Sequence, residues 1–361
     1  MTSISNKSPL IDHHGRTHTS LRISVTDRCN IRCFYCMPNE NVQFRPRSEI
    51  LSFEEITRFV RVVAQLGVHR LRLTGGEPLV RHGLSQLVRM LADVPGIDDL
   101  ALTTNGILLA EQAADLRAAG LQRVNISLDT LSEATFQKIS RRAGLDRVLA
   151  GIAAAQDVGF KQVRLNSIAI QGLTEDEIIP LAAFARRRGL ELRFIEYMPL
   201  DAEQHWQSGD VLDGDTIRQL LEAEFGELVP VSSPHPSQPA SEFEYTDGGG
   251  RIGLIQPVSQ PFCEACDRLR LTAEGQVRNC LFSTAEWDAR AILRKRCQEP
   301  FTHPRPEYGP TASPKIPDTL CSSDDALANL VRDCIRAKAP AHGINTIDFI
   351  RPDRAMYQIG G

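Results

Sequence analysis

Several absences narrow the possibilities before any motif is read. No run of eighteen or so apolar residues occurs, so no membrane-spanning helix is expected. The first twenty residues are polar and His-bearing, with no apolar signal core, so a cytoplasmic protein is expected. There is no excess of basic charge; a formal net charge of -4 argues against bulk nucleic-acid binding. There is no internal repeat beyond a strand–helix unit. An even set of cysteines is also missing. The chain has nine, which fits full disulfide pairing poorly and favours a metal or redox role.

What is present suits a globular enzyme. A length of 361 residues allows a large core and more than one domain, and 42% apolar with 24% charged residues is ordinary for a soluble fold. The cysteines fall into three groups. Cys29, Cys33 and Cys36 are spaced C-x3-C-x2-C, and Cys263, Cys266 and Cys280 are spaced C-x2-C-x13-C. Cys297, Cys321 and Cys334 have no ligand spacing and read as incidental thiols.

From Leu21 to about Glu196, short β-rich runs alternate with amphipathic stretches. The runs are Leu21–Thr26, Arg70–Thr74, Asp99–Thr103, Arg123–Ser127, Val163–Ile170 and Glu191–Glu196. Between them lie helical patterns such as Phe53–Leu66, Gly83–Leu91, Glu111–Ala119, Asp146–Val158 and Asp176–Arg188. Such alternation implies a parallel sheet with right-handed crossovers, as an incomplete (β/α) barrel or a doubly wound sheet. Both put functional residues at the C-terminal strand ends. Those ends carry the first cysteine loop, Gly75-Gly76-Glu77-Pro78, Thr103-Thr104-Asn105-Gly106 and Ser127-Leu128-Asp129. Beyond Asp210 the pattern becomes mixed. A helix is expected over Asp215–Phe225, a loop over Pro230–Ser241 and strands at Phe243–Tyr245 and Arg251–Ile255. A hairpin is expected over Leu269–Thr272 and Gln276–Leu281, and helices over Thr284–Arg296 and Asp324–Ala337. The proline-bearing stretch Gln298–Thr319 reads as an exposed loop.

Three thiolates leave a four-iron cluster one ligand short, so one iron stays open to a cofactor or substrate. A zinc site would need a fourth ligand close by, and none follows Cys36 or Cys280 closely. Arginines add a second theme. Arg22, Arg72, Arg164 and Arg193 lie on the expected barrel strands, and Arg268 and Arg270 share one face of a later strand. An arginine inside a parallel strand must be paired or face a wet cavity. Guanidinium forks on several strands suggest a phosphate-bearing anion.

The cysteine loop with its Tyr35, followed by Gly-Gly-Glu-Pro after the second strand, resembles the radical S-adenosylmethionine (SAM) superfamily. Leu21-Arg22-Ile23-Ser24-Val25-Thr26-Asp27, Arg72-Leu73-Thr74, Asn125-Ile126-Ser127, Arg193-Phe194-Ile195-Glu196, Cys266-Asp267-Arg268-Leu269-Arg270 and the terminal Gly360-Gly361 narrow the likeness. Together with the cysteine and glycine motifs they resemble its GTP 3′,8-cyclase family, from about Ile11 to Gly361.

The resemblance implies an α/β fold. An incomplete (β/α)6 TIM-like barrel spans residues 21–210, after an N-terminal extension over 1–20. A smaller C-terminal α+β domain over 211–361 carries a second Fe–S cluster. It implies two [4Fe-4S] clusters, held by Cys29, Cys33 and Cys36 and by Cys263, Cys266 and Cys280. SAM would chelate the first open iron and touch Tyr35, Gly76, Ser127 and Met198. Its cleavage yields a 5′-deoxyadenosyl radical that takes hydrogen from ribose C3′ of GTP, and the C3′ radical attacks guanine C8. Arg22, Arg72, Thr103, Arg164, Arg268, Leu269 and Arg270 are the implied GTP contacts, although the family usually has lysine at the position of Arg164. Arg22, Arg268, Arg270, Gly360 and Gly361 are implied in catalysis. The implied partners are GTP, a reduced flavodoxin- or ferredoxin-type donor, cyclic pyranopterin monophosphate synthase downstream and a second copy in a homodimer. The stretch Gln298–Thr319 is an insertion relative to the family, downstream of all six cluster cysteines. Two other readings stand beside this one. One is a peptide-modifying or dehydrogenating radical SAM enzyme with an auxiliary cluster, and the other a zinc-binding structural or regulatory protein.

Overall fold

A computed structural model describes residues 8–39, 41–200, 206–232, 235–295 and 322–360. The stretch 298–319, Cys297, Cys321 and Gly361 lie outside the described residues.

Six parallel strands lie side by side in chain order: β1 (Ser20–Ser24), β2 (Arg70–Thr74), β3 (Asp99–Thr104), β4 (Arg123–Ser127), β5 (Gln162–Ala169) and β6 (Glu191–Glu196). The helices between them are α1 (Phe53–Gln65), α2 (Leu84–Ala92), α3 (Leu109–Ala118), α4 (Glu133–Ser140), α5 (Leu145–Asp157) and α6 (Ile178–Arg188). Then follow α7 (Gly214–Phe225), β7 (Leu228–Val231), β8 (Ser241–Tyr245) and β9 (Arg251–Ile255). The last elements are β10 (Arg268–Leu271), β11 (Gln276–Arg278), β12 (Trp287–Asp288), α8 (Arg290–Leu293), α9 (Ser322–Arg336) and α10 (Met356–Ile359). Among the described residues no helix is long and apolar enough to cross a membrane.

The C-terminal strands extend the barrel sheet at both edges. The order across it is β12-β11-β10-β1-β2-β3-β4-β5-β6-β9-β8-β7. Strand β9 runs parallel to β6, and β10 parallel to β1. The result is an open, incomplete barrel. The connector 256–267 leaves one end of the eight parallel strands and arrives at the other. Glu196, at the end of β6, anchors its start by accepting from the Val258 and Ser259 amides, both at 2.9 Å.

Strand alternation decides which face is which. Leu21, Ile23, Leu71, Leu73, Leu269 and Leu271 point outward into the helix-covered core. The residues between them point inward. Register then aligns Arg270, Arg22 and Arg72 across three neighbouring strands, with Arg268, Ser20 and Arg70 in the row below. Helix α1 begins with a capping box in which the Ser52 hydroxyl accepts from the Glu55 amide at 3.2 Å and Glu55 accepts from the Ser52 amide at 2.7 Å. Helix α6 ends on Gly189, whose φ of +63° is the left-handed turn glycine tolerates.

Two expectations need correction. Among the described residues no long helix covers 284–295, because Trp287 and Asp288 pair with β11 and leave only the short α8. Pro230 lies within β7, which pairs only with β8, and an edge strand tolerates a residue without an N–H. Helix α4 is an element the apolar periodicity did not reveal; Ser132 caps it by accepting from the Thr135 amide at 3.4 Å.

Among the described helices, α3 and α5 share the most extensive contact. A Cβ at Gly151 would meet the Gly106 carbonyl and come within 3.1 Å of Leu109 Cβ. Gly151→Ala is expected to destabilise the chain by about 1–3 kcal/mol through overpacking. An unchanged midpoint in denaturant unfolding would contradict this packing.

Candidate active site

The first cysteine loop follows β1 and rests on the end of α4. The Arg32 amide donates to the Ser140 carbonyl at 2.8 Å and the Phe34 amide to the Ile139 carbonyl at 3.1 Å. Within the loop, the Met37 amide donates to the Cys33 carbonyl at 2.7 Å. The Arg32 guanidinium donates to the Cys29 carbonyl at 2.6 Å and stacks on Phe44. Burial raises the Cys29 thiol to about 11 and pushes Cys33 and Cys36 up as well. The backbone of Tyr357, in α10, lies beside Cys36 and works against that rise.

The glycine motif packs on this loop. The Gly76 amide donates to the Thr26 carbonyl at 2.8 Å, and the Glu77 amide to the Arg28 carbonyl at 2.7 Å. A Cβ at Gly75 would lie 2.5 Å from the Thr26 carbonyl oxygen, and one at Gly76 2.7 Å from the Arg28 carbonyl carbon. The close approach these glycines permit is therefore to the cysteine loop, and Gly76 also lines the cavity described below. Glu77 locks the next loop to them. Its carboxylate accepts from the Leu79 amide at 2.9 Å, the Thr104 hydroxyl at 2.7 Å and the Asn105 amide at 2.7 Å. Asn105 in turn donates to the Asn30 side chain at 2.7 Å. Tyr35 donates to Asp129 at 2.6 Å, and Asp129 accepts from the Ile168 amide at 2.8 Å. Asp129 and Glu77 were in no expected site; their partners lie on other loops.

A cavity of about 850 Å³ runs through the barrel. All six expected ligand cysteines line it, the first set at the strand C-termini and the second set on the connector and the end of β11. Tyr35, Gly76, Ser127 and Met198 line it too, as do Arg22, Arg72, Thr103, Arg164, Arg268 and Arg270. Leu269 does not. Its side chain is fully buried in the core, because alternation turns it away from its arginine neighbours, so only its backbone could serve a ligand. Gly360 is seated beside the arginine rows at φ +70°, where a Cβ would come within 2.6 Å of Thr74 Oγ1. Its carbonyl accepts from the Arg270 guanidinium. Cys334 is buried in the core on α9.

The arginines divide into two classes. Arg164 is paired with Glu191 at 2.7 Å, Arg193 with Glu191 at 2.5 Å and Glu242 at 2.7 Å, and Arg70 with Asp267 at 2.5 Å. Gly253 gives Arg193 its path; a Cβ there would lie 2.8 Å from Arg193 Cγ. Among the described residues, no carboxylate lies within ion-pair distance of Arg22, Arg72, Arg268 or Arg270. Burial, then mutual repulsion, lowers Arg72 and Arg270 well below the usual guanidinium range and brings Arg22 to about 10. Burial also works against Arg268, but the Cys266 thiolate outweighs it and raises that group. The same pairing acts on the thiol. Burial opposes the charged form of Cys266, yet Arg268 and Lys338 bring it down to about 6.

The donor sets fit Fe–S clusters. Each site offers three thiols and one open side toward the cavity. Among the described residues, no three His, Cys, Asp or Glu side chains converge on one ion position, as a lone zinc requires. A cluster takes one thiolate per iron and spreads them apart. The first set, with Tyr35, Gly76, Ser127 and Met198 nearby, would hold a cluster and SAM. The second set would hold a cluster facing the free arginines.

Burial raises the Glu77 carboxyl from 4.5 to about 7, against the hydrogen bonds that pull it down. Its folded value thus exceeds its unfolded one. The stability it contributes is complete below about pH 4.5 and is lost as pH rises through about 7. The native chain should therefore lose stability relative to Glu77→Gln across that window, read from denaturant midpoints at several pH values. A pH-independent difference would contradict the assignment.

Comparison with known proteins agrees with this geometry. Residues 23–185 match the family described as the radical SAM superfamily, and residues 190–302 the one described as Molybdenum Cofactor Synthesis C. The GTP 3′,8-cyclase of Rhodopirellula baltica is 48% identical over 100% of this chain and 94% of its own length. That of Mycolicibacterium smegmatis is 42% identical over 98% of this chain and 92% of its own. Among solved structures, Streptococcus suis SuiB bound to S-adenosylmethionine superposes with a TM-score of 0.59 at 15% identity, over 77% of this chain and 65% of its own. At that identity the likeness concerns the fold. With two family matches in tandem and near-half identity along its whole length, the chain belongs to the radical SAM superfamily and, within it, to the GTP 3′,8-cyclase family.

Proposed function

We propose that the chain cyclises GTP to 3′,8-cyclo-7,8-dihydroguanosine 5′-triphosphate, the first step of molybdenum cofactor biosynthesis. The observation that carries this reading is one cavity lined by both three-cysteine sets and by four arginines that have no carboxylate partner among the described residues. The bound cluster and SAM would supply one-electron cleavage of a sulfonium and hydrogen abstraction from the substrate.

The chain's own residues do the placing. Cys29, Cys33 and Cys36 hold the first cluster, and Cys263, Cys266 and Cys280 the second. Tyr35, Gly76, Ser127 and Met198 seat SAM. Arg22, Arg72, Arg268 and Arg270 grip the triphosphate and fix the ribose between the sites, with Thr103 and the Leu269 backbone beside them. Arg164 joins them only by sharing itself with Glu191, which makes it the weaker contact. The glycine tail, Gly360-Gly361, covers the substrate from the side of Arg270 and keeps water from the radical. In domain terms, residues 1–20 are an extension, 21–210 the partial barrel and 211–361 the part bearing the second cluster. A reduced flavodoxin- or ferredoxin-type donor, cyclic pyranopterin monophosphate synthase as the next enzyme, a homodimer and a reducing cytoplasm complete the proposal.

The test is anaerobic reconstitution with iron and sulfide, followed by SAM, reductant and GTP. 5′-Deoxyadenosine should form only when GTP is present. Tight zinc without iron would overturn the reading. Cys263→Ala should keep the first cluster's iron and spectrum but lose cyclisation. Full cyclisation by that variant would remove the second site from the reaction.

A further inference from the structure

The loop after α9 meets the second cysteine set, and its His342 lines the cavity while its Lys338 does not. Lys338 lies just past the end of α9 and is buried. An ammonium has three donors and no acceptor. All three have acceptors within reach here: the Arg268 carbonyl at 3.1 Å, the Cys266 carbonyl at 3.3 Å and Cys266 Sγ at 3.4 Å. Lys338 is not among the residues that line the cavity, whereas Cys266 and Arg268 are. A little further along, the backbone of His342 lies beside Cys263, where it works against the burial that pushes that thiol up. The loop thus reaches two of the three thiols.

Something must hold this loop in place, and the N-terminal segment does so. Arg16 donates to the Pro340 carbonyl at 2.9 Å, the Ala339 carbonyl at 2.7 Å and the Cys263 carbonyl at 2.9 Å. Its other edge is set by Asp12, at 2.5 Å, and Asp12 is also in contact with His18 at 3.1 Å. Arg16, Asp12 and His18 are all buried. One arginine therefore ties the lysine's loop and a cysteine ligand into one rigid piece.

We propose that Lys338 is a positioning residue for the second Fe–S cluster, raising its reduction potential through an N–H···S hydrogen bond and a fixed positive charge at Cys266. The proposal rests on the reading of Cys263, Cys266 and Cys280 as cluster ligands. Reduction adds one negative charge to a cluster. A buried cation on a ligand sulfur stabilises the reduced form more than the oxidised one, and hydrogen bonds to cluster sulfurs act in the same direction. The low dielectric around Lys338 strengthens both effects. A lysine that merely satisfied two carbonyls would leave the potential where it was.

The experiment is a redox titration followed by EPR on the reconstituted full chain, with iron and sulfide counted. It is repeated with Cys29→Ala, Cys33→Ala and Cys36→Ala, so that only the second signal remains. Lys338→Met should retain the parent's iron, with the second cluster's midpoint shifted to lower potential. The first cluster's midpoint and GTP affinity should be unchanged. Lys338→Gln, which keeps an N–H but loses the charge, should shift less. An unshifted second midpoint in an iron-replete Lys338→Met overturns the proposal. Should that variant fail to load, the midpoint of Lys338→Gln decides in the same way. If the parent chain itself binds only one cluster, the ligand reading falls, and the role of Lys338 falls with it.

Discussion

A row of like charges on neighbouring strands is the constraint around which this molecule is arranged. Arg270, Arg22 and Arg72 are aligned by parallel register, on backbones about 4.8 Å apart. Like charges placed side by side in a sheet repel one another. Among the described residues this row finds little relief: the Ile359 and Gly360 carbonyls at Arg270, and Cys266 and Asp267 near Arg22. The arginines elsewhere in the barrel are matched with Asp99, Glu191, Glu242 and Asp267. Neutralisation was thus available in this fold and is missing from one patch. That patch is where a polyanion gains most from binding, because it relieves repulsion as well as forming contacts.

The two cysteine sets flank this patch and are supported differently. The first hangs on carbonyls at the end of α4 and is clamped by the glycine loop after β2. Its thiols have no ammonium or guanidinium bonded to sulfur among the described residues, and burial drives them up. The second has Arg268 and Lys338 beside Cys266, which they bring down, while burial still pushes Cys263 up. Two sets with equal numbers of thiols therefore sit in different charge surroundings.

Much of this was legible in the sequence, for a physical reason. Alternation is local, so Arg22, Arg72 and Arg270 announce an inward face by sitting between leucines and isoleucines, and Arg268 shares the face of Arg270 two residues on. The same rule excludes the Leu269 side chain, which the family likeness had counted as a contact. Motif likeness carries residue positions but not side-chain directions. Gly75 and Gly76 were visible as sites of close approach, yet the body that approaches is the backbone of residues 26–28. Asp129 was visible only as part of a polar strand end, and Arg16 and Lys338 gave no signal. Each acts on a partner at long sequence separation, and a lone charged residue looks like any other. Helix α4 was missed because it is short, and the helix expected at 284–296 because a two-residue strand interrupts it.

The placement of β9 and β10 at opposite ends of the parallel sheet has a bearing on biosynthesis. Strand β1 leaves the ribosome early, and its outer edge is completed only when Arg268 and its neighbours arrive to pair with Ser20 to Ile23. Until then a parallel edge with an inward-facing arginine stays unprotected, in a class of pairing that forms slowly. The residues that finally cover it follow directly on Cys263 and Cys266. Covering of the β1 edge and delivery of the second cysteine pair are therefore one event in the life of the nascent chain. A truncated product ending before that point would carry a complete first cysteine set on a sheet that still has an open seam.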